Sequence, residues 1–339
     1  MSEAIRQEKL LEVKGLKQYF AINKGFLRKN VGYIKAVDNL DLTVHKGETI
    51  GLVGESGCGK TTLGRSILRL YEPFDGKVIY YMDGKAVSIL DLDREELRRF
   101  RRHMQLIFQD PYSSLNSRMT ILQTVSEPLI VHNICKGRAL EDRVAEMLDL
   151  VGLKPEYMRR YPHSFSGGQR QRICIARALI LDPQLVIADE AVSALDVSIQ
   201  AQILNLLKKM QQKLGLTYIF ISHDLGVVRY VSDRIAMMYV GKMVEMADTD
   251  ELLAHPMHPY TESLLSAVPK VDFDKQRKRI LLSGEAPDPS NLPSGCVFHE
   301  RCHYMVDECI HVEPRTIEAS PGHFVKCHRA QELQLQGIR

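Results

Sequence analysis

One stretch of this sequence restricts the possible folds more than any other. Residues 54–61, Gly-Glu-Ser-Gly-Cys-Gly-Lys-Thr, match the pattern GxxxxGK[ST], with an apolar run before them (Thr49 to Val53) and a helical pattern from Lys60 to Leu70. Glycines at these positions let backbone N–H groups turn around a phosphate, and the helix directs the positive end of its dipole there. The sequence therefore predicts a strand–loop–helix unit that binds a nucleotide.

This loop and a second, acidic element make up the predicted phosphate and metal site. The loop contributes Gly54, Glu55, Ser56, Gly57, Cys58, Gly59, Lys60, Thr61 and Thr62. Lys60 is expected to reach the β- and γ-phosphates, and Thr61 to bind Mg²⁺. The apolar run from Leu185 ends in Asp189 and Glu190. Asp189 is suited to the Mg²⁺ shell, and Glu190 to orienting or deprotonating an attacking water.

Composition limits the class of protein. The 339 residues are 45% apolar and 26% charged, as in an ordinary globular protein with a sizeable core. The net charge of +3 (45 basic against 42 acidic residues) does not favour nucleic-acid binding. No run approaches the roughly 18 apolar residues of a membrane helix, and residues 1–9 lack a signal-peptide pattern. We therefore expect a cytoplasmic chain.

The order of apolar patterns predicts an α/β fold with an antiparallel β edge. Leu10 to Val13 and Ala36 to Val44 have strand character. The loop predicted between them runs through Lys24, Gly25, Lys29 and Gly32. From Glu48 onward, short buried strands alternate with helices, Val197 to Leu214 among them, which is typical of a parallel sheet covered on both faces.

Two additions to this core are predicted. The first is a helical subdomain at about residues 92–166, inserted into a nucleotide-binding domain that spans residues 1–268. Its elements are helices at Arg94 to His103, Ile121 to His132 and Arg138 to Val151, and a strand at Met104 to Phe108. The second addition is a Pro-rich, Cys/His-containing extension, residues 269–339, with too little periodicity to form much core alone.

A further motif, Ser166-Gly167-Gly168-Gln169, precedes a helical run to Leu181. Ser166 is suited to cap that helix, and the glycines make its start a second possible anion site. Together with Gln109, the run Ser193-Ala194-Leu195-Asp196, and His223, these motifs resemble the ATP-binding subunits of ABC transporters. The resemblance covers about Leu10 to Ala267.

The resemblance implies a P-loop NTPase with a RecA-like parallel sheet and assigns roles to the motifs. Gln109 would lie near Mg²⁺ and the membrane subunit, and His223 would contact the γ-phosphate. Ser166 to Gln169 would be the signature loop, and Ser193 to Asp196 the D-loop. An aromatic residue after the first strand would stack on adenine; Phe20 and Tyr19 are candidates, with Tyr33 as a competitor.

The single set of motifs implies that this chain works as one of a pair. In the family, the signature of one subunit closes over the nucleotide held by the other, so a second related ATP-binding subunit and two membrane-spanning permease subunits are expected. Two departures are visible: Ala191-Val192 replaces the frequent Pro-Thr, and Phe165 replaces Leu before the signature. Neither removes a group that touches phosphate or metal, so hydrolysis is still expected.

Cysteines are concentrated in the tail. Cys296, Cys302, Cys309 and Cys327 lie in the last 44 residues, and the chain has seven cysteines in all. The spacing C-x₅-C-x₆-C-x₁₇-C suits zinc or an iron–sulfur cluster, and free thiols are the third possibility. Histidines offer alternative zinc ligands at His299, His303, His311, His323 and His328.

The tail also narrows the resemblance. Gly295-Cys296-Val297-Phe298 and Arg301-Cys302, with His255-Pro256 upstream, resemble the oligopeptide/dipeptide branch. This implies an ATPase at the cytoplasmic face of the membrane that energises peptide import, in a heterodimer, supplied by an extracytoplasmic peptide-binding protein. It also implies a 4Fe-4S cluster on the four cysteines. A nickel, glutathione or other solute importer, and a soluble ABC-type regulator, are the alternatives.

Overall fold

The computed structural model describes residues 8–24, 29–268 and 280–338. The strands are β1 (Lys9–Lys24), β2 (Lys29–His45), β3 (Thr49–Val53), β4 (Asp75–Met82), β5 (Lys85–Ser88), β6 (Met104–Ile107), β7 (Leu185–Asp189), β8 (Thr217–Ile221), β9 (Arg234–Tyr239), β10 (Lys242–Asp248), β11 (Ile317–Ser320) and β12 (His323–Val325). The helices are α1 (Lys60–Ile67), α2 (Arg94–Phe100), α3 (Ile121–Val131), α4 (Arg138–Leu150), α5 (Gly167–Leu179), α6 (Val197–Leu214), α7 (Leu225–Val231), α8 (Thr249–Ala254), α9 (Pro259–Ser266) and α10 (Asp307–His311).

Short 3₁₀ helices occur at Ile89–Asp91, Arg101–His103, Pro155–Arg159, Pro162–Ser164 and His299–Arg301. The chain divides into two compact units. One consists mainly of Asp91–Ile221 with His45–Glu48; the other of Lys9–Val44, Thr49–Leu90 and Ser222–Arg339. In the part of the chain that the structure describes, no helix combines the length and apolarity needed to cross a bilayer.

The unit that holds the phosphate loop contains two sheets. Its antiparallel sheet has the order β2-β1-β4-β5, with Leu11 opposite Tyr80. The strands predicted at residues 10–13 and 36–44 are confirmed, but they form a sheet of their own. The loop predicted through Lys29 and Gly32 is wrong, because β2 begins at Lys29 and ladder pairing extends the strand past its apolar residues. Gly25, also assigned to that loop, is outside the described residues.

The second sheet of this unit runs β11-β12-β10-β9-β3. β3 pairs in parallel with β9, and the pairs farther along are antiparallel. All five residues of β3 are buried, as its continuous apolar run predicted. The tail strand β12 pairs with β10, matching Glu245 with Val325, so main-chain hydrogen bonds attach the tail to the sheet.

The other unit has three parallel strands in the order β8-β7-β6, and it also contains helices α2 to α6. The predicted helix from Val197 to Leu214 is confirmed as α6, which ends at Gly215 in the left-handed conformation. The helix predicted from Arg94 to His103 is too long, since α2 ends at Phe100 and a 3₁₀ turn follows. The predicted domain boundary at residues 268 and 269 lies at the edge of the described residues, and the domain division stays a prediction.

Candidate nucleotide-binding site

The phosphate loop is the turn between β3 and α1. Lys60, the first residue of α1, is buried, and its ammonium donates to the carbonyls of Gly54 (2.7 Å) and Glu55 (2.9 Å). Gly59 caps the helix with no side-chain hydrogen bond, so no side chain of the cap residue occupies the N–H groups of the first turn. The loop therefore presents backbone donors and a lysine at a helix start, the arrangement that binds phosphate.

Two glycines of the loop are required by close approach to neighbouring backbone. Gly59 has φ of 103°, and an added Cβ would lie 2.0 Å from the carbonyl oxygen of Ala36. At Gly54, an added Cβ would lie 2.1 Å from the carbonyl oxygen of Met238. The neighbouring strands thus leave room for backbone only.

The aromatic candidates lie in different surroundings, although Tyr19 and Phe20 are adjacent on β1. Tyr19 packs against Tyr33 and Phe74, with ring centroids 6.4 and 4.9 Å away, and its hydroxyl donates to Asp38. Phe20 makes an edge contact with Tyr71, 5.4 Å between centroids. The Tyr71 hydroxyl in turn accepts a hydrogen bond from Arg65 of α1, the helix that follows the phosphate loop.

The acidic pair lies in the other unit, at the carboxyl end of β7. Asp189 is buried, and Glu190 follows with φ of +48°, in the left-handed region that few non-glycine residues adopt. The amide of Gln109 donates to the Glu190 carboxylate at 2.7 Å. The structure therefore brings Gln109 and Glu190 together, and backbone strain of this kind clusters at functional sites.

The signature motif forms the start of α5. Ser166 and Gln169 make a reciprocal capping box: the Ser166 side chain accepts from the Gln169 N–H, and the Ser166 N–H donates to Gln169 Oε1. The predicted cap is thus confirmed. Gly168 packs against α6, where an added Cβ would lie 2.6 Å from Ile199. Gly167 and Gly168, which carry no side chains, directly follow the exposed Ser166.

The remaining family motifs also occupy loop positions. Asp196 is exposed and precedes the first residue of α6, and Val197 beside it is 82% exposed. His223 is exposed and follows β8, immediately before Asp224 caps α7. His223 belongs with the phosphate loop in one compact unit, while Gln109, Asp189, Glu190, the signature and Asp196 belong to the other.

The two departures from the family pattern are accommodated by burial. Ala191 and Val192 are 1% and 3% exposed, and Phe165 is 6% exposed with its ring 5.6 Å from that of Tyr157. Each substituted residue is apolar and buried, so the changes fill core space and leave the polar groups of the site in place.

Two residues that sequence reasoning did not assign to the site, Tyr260 and Arg301, contact the phosphate loop at Glu55. The Glu55 N–H donates to the hydroxyl of Tyr260, 2.8 Å away. Arg301 forms two hydrogen bonds with the Glu55 carboxylate and a third with Tyr239. Burial alone would lower the pKa of Arg301, but its hydrogen bonds to Glu55 and Tyr239 raise the pKa overall. No signal in the sequence connects residues 246 positions apart.

The signature also has an unassigned neighbour. The guanidinium of Arg170 lies 4.3 Å from the ring centre of Tyr112, and the Tyr112 hydroxyl lies close to Gly167. This cation–π contact orients Tyr112 against the start of α5. The preceding Asp110 accepts from the backbone of Tyr112, so the turn after Gln109 is itself ordered by hydrogen bonds.

The four tail cysteines line one small cavity, together with Phe298, His299 and His328. Burial, with a contribution from neighbouring cysteines, raises the pKa of the Cys302 thiol to about 11 and that of Cys327 to about 12. Within the described ranges, no group of three or more His, Cys, Asp or Glu side chains is arranged to hold a single metal ion. The structure therefore brings the four cysteines to one cavity, and it shows no single-ion zinc geometry among the described residues.

The family pattern named ABC transporter matches residues 37–193, and the pattern named oligopeptide/dipeptide transporter, C-terminal region, matches residues 244–309. The oligopeptide transport ATP-binding proteins AppF and OppF of Bacillus subtilis (strain 168) are each 50% identical to this chain. Each alignment covers 96% of this chain and 98% of the relative.

Solved structures agree with these matches. The ATP-binding cassette MJ0796, a dimer bound to ADP and Pi, superposes with a TM-score of 0.61 at 30% identity, over 71% of this chain and 99% of that one. Phosphate loop, acidic strand end and signature therefore define a P-loop ATPase of the cassette type. The chain belongs to the ATP-binding subunits of ABC transporters, in the oligopeptide/dipeptide branch.

Proposed function

We propose that this protein hydrolyses ATP to energise the import of oligopeptides or dipeptides through a membrane ABC transporter. The observation that carries the proposal is the combination, in one chain, of a preformed phosphate loop with the tail region of the peptide branch. The 50% identity to AppF and OppF over nearly the whole chain supports the peptide substrate.

The proposed roles follow from donor chemistry. The loop N–H groups and Lys60 bind the phosphates, and Ser166, Gly167 and Asp196 would face the nucleotide of the paired subunit. Hard oxygen donors suit Mg²⁺, and Thr61, Asp189 and Gln109 provide them. When bound, Mg²⁺ neutralises charge on the phosphates. Glu190 orients and deprotonates the attacking water, and His223 donates to the γ-phosphate.

Phe20 is the proposed adenine-stacking residue. Its ring is linked through Tyr71 to Arg65 of α1, whereas the Tyr19 ring is packed against Tyr33 and Phe74 and anchored by its hydroxyl. Substituting Phe20 by Ala should weaken ADP binding by about tenfold, and Tyr19→Ala by much less. Equal losses in the two variants would reject Phe20 as the specific platform.

The working unit is proposed to be a heterodimer with a second related ATP-binding subunit, at the cytoplasmic face of the membrane. Two permease subunits and an extracytoplasmic peptide-binding protein complete the transporter. Mass spectrometry of the complex purified through a tag on this chain should identify one related ATPase and the permeases. An active complex with two copies of this chain and no related ATPase would refute the heterodimer.

The decisive experiment for the substrate is uptake. Proteoliposomes in which this subunit faces the lumen, supplied with the binding protein outside, should accumulate radiolabelled dipeptides or oligopeptides only when the lumen contains ATP. A Lys60→Ala variant of this chain should abolish uptake while the complex still assembles. Uptake of nickel or glutathione without uptake of any peptide would replace the peptide assignment with another solute of the same branch.

The cysteine cavity of the tail is proposed to hold a 4Fe-4S cluster. Four thiols lining one cavity support this, since thiolates are the usual ligands of such clusters and a cluster separates its ligands more widely than a single ion does. Anaerobically purified protein should be brown and contain iron and sulfide in similar amounts. Colourless protein with one equivalent of zinc, or metal-free protein with four reactive thiols, would reject the cluster.

A further inference from the structure

The phosphate loop contains an acidic residue, Glu55, at its second position. A carboxylate beside an anion-binding loop opposes the binding of a polyphosphate, because like charges repel at short range. The Glu55 side chain is 28% exposed, so water screens only part of this charge. A phosphate loop of this sequence therefore requires a group that neutralises the Glu55 carboxylate or holds it away from the bound phosphates.

Arg301, from the tail, meets this requirement. Its Nη1 lies 2.9 Å from Glu55 Oε2, and its Nη2 lies 3.2 Å from Glu55 Oε1. This two-point geometry fixes the direction of the carboxylate as well as its charge. Arg301 is buried, and its Nε has no hydrogen-bond partner among the described residues. Glu55 and Tyr239 are therefore the side chains that stabilise this buried cation.

The main chain of Glu55 is fixed from two further directions. Its N–H donates to Tyr260, and its carbonyl accepts from the ammonium of Lys60. Tyr260 and Tyr239 pack against each other and against Phe298 of the tail, with ring centroids 4.7 to 5.5 Å apart. The 3₁₀ helix His299–Arg301 begins directly after Phe298, so the buried ring anchors the turn that presents Arg301.

We propose that Arg301 is a positioning residue for nucleotide binding, which neutralises and orients Glu55 so that the loop N–H groups and Lys60 face the phosphates. The inference rests on the proposed role of residues 54–61 as the phosphate site and adds the tail to that site. It goes beyond any role for the tail as a separate metal-binding module.

The test measures the affinity of the full chain for ADP and for the non-hydrolysable analogue AMP-PNP by isothermal titration. Arg301→Gln should weaken the binding of AMP-PNP on the order of tenfold and the binding of ADP by less, because ADP carries less negative charge. The AMP-PNP affinity of the double variant Arg301→Gln/Glu55→Gln should be within about twofold of the wild-type affinity, since the uncompensated carboxylate has been removed. The AMP-PNP affinity of Arg301→Lys should lie between those of wild type and Arg301→Gln, because lysine keeps the positive charge but cannot form the two-point hydrogen bond of a guanidinium.

Rescue separates positioning from packing, because a merely structural role of Arg301 would leave the double variant as weak as Arg301→Gln. The matched control is Arg329→Gln, since Arg329 is another tail arginine whose partners, Glu332 and the Tyr304 carbonyl, are within the tail. This control should bind both nucleotides like wild type. If Arg301→Gln loosens the tail, Arg301→Lys still decides, because it keeps the positive charge beside Glu55 and should bind AMP-PNP more tightly than Arg301→Gln does.

Unchanged AMP-PNP affinity in Arg301→Gln, a double variant that is not rescued, or an Arg301→Lys variant that binds as weakly as Arg301→Gln would each overturn the inference. Failure of the underlying site has a different signature. Wild-type protein that binds no nucleotide, or a Lys60→Ala variant that binds normally, would refute the phosphate site itself.

Discussion

Two helix starts in this protein look alike in sequence and differ in structure. The start of α1 and the start of α5 each follow glycine-rich motifs, and both are expected to face anions. At α1, Gly59 has no side chain with which to cap the helix, and the loop supplies backbone N–H groups and Lys60. At α5, Ser166 and Gln169 satisfy each other in a capping box.

The difference shows that glycine content by itself does not define a phosphate site. A helix start binds phosphate through N–H groups that no side chain of its own occupies. The start of α5 is capped by the side chains of Ser166 and Gln169, and Ser166 remains exposed. The start of α1 has no side-chain cap, whereas the start of α5 is capped by its own side chains.

The largest expected effect concerns the hydrolysis of ATP bound at the start of α1. In Glu190→Gln, turnover should fall by about 10²–10⁴-fold while ATP affinity is retained, because Lys60, Thr61 and Asp189 remain. Phosphate release by the assembled transporter checks this, with the exposed Glu127→Gln on α3 as the control. A rate above about a tenth of normal would exclude Glu190 as the principal base.

The second prediction compares two glycines of the α1 loop. Gly57 has φ of +81° with open space where a Cβ would be, whereas the Cβ of Gly59→Ala would meet the Ala36 carbonyl. Gly57→Ala should cost about 1–2 kcal/mol of stability from backbone strain alone. Gly59→Ala should cost more and abolish ADP binding. Urea unfolding and titration measure both; equal costs would mean that strain, and not the close approach, requires Gly59.

The start of a third helix, α9, is capped by a histidine, His258, whose capping ability depends on its protonation state. Nδ1 of His258 accepts from the Tyr260 N–H, so the imidazole must be neutral, and burial lowers the pKa of His258 to about 3. In the unfolded chain the pKa is about 6.5, so the unfolded state gains a proton first as the pH falls, and stability decreases between about pH 6.5 and 3.

Wild-type protein should therefore lose about 2 kcal/mol more stability between pH 7 and pH 5 than His258→Asn, whose amide oxygen can cap without titrating. Unfolding by urea at several pH values measures the difference. His255→Asn, at an exposed neighbouring position, should keep the wild-type slope. Identical pH dependence in His258→Asn and wild type would contradict the role of the buried imidazole.

The smallest expected effect is at the start of α5. Ser166→Ala removes the capping box and should lower the free energy of unfolding by about 1 kcal/mol, with ADP affinity of the isolated chain unchanged. Ser164→Ala, just upstream, should be neutral. Weaker ADP binding by isolated Ser166→Ala protein would break the distinction between the two helix starts, since it would place α5 at the nucleotide of its own chain.

Local signals account for the parts of the fold that sequence reasoning predicted well. Thr49–Val53 and Val197–Leu214 were predicted to the residue, because a buried strand and an amphipathic helix with a glycine stop carry their boundaries in their own sequence. β2 was predicted too short, since the residues from Lys29 onward owe their extended conformation to ladder pairing and not to an apolar pattern.

By itself, the sequence determined the elements whose physics is short-range: the strand–loop–helix around Lys60, the cap at Ser166 and the acids after β7. It also carried the family motifs and the cluster of tail cysteines. Only the tertiary structure decided which groups meet across long separations: Gln109 with Glu190, β12 with β10, and Arg301 with Glu55. A hydrogen bond depends on distance in space, and no residue pattern records which distant side chains folding brings within 3 Å of each other.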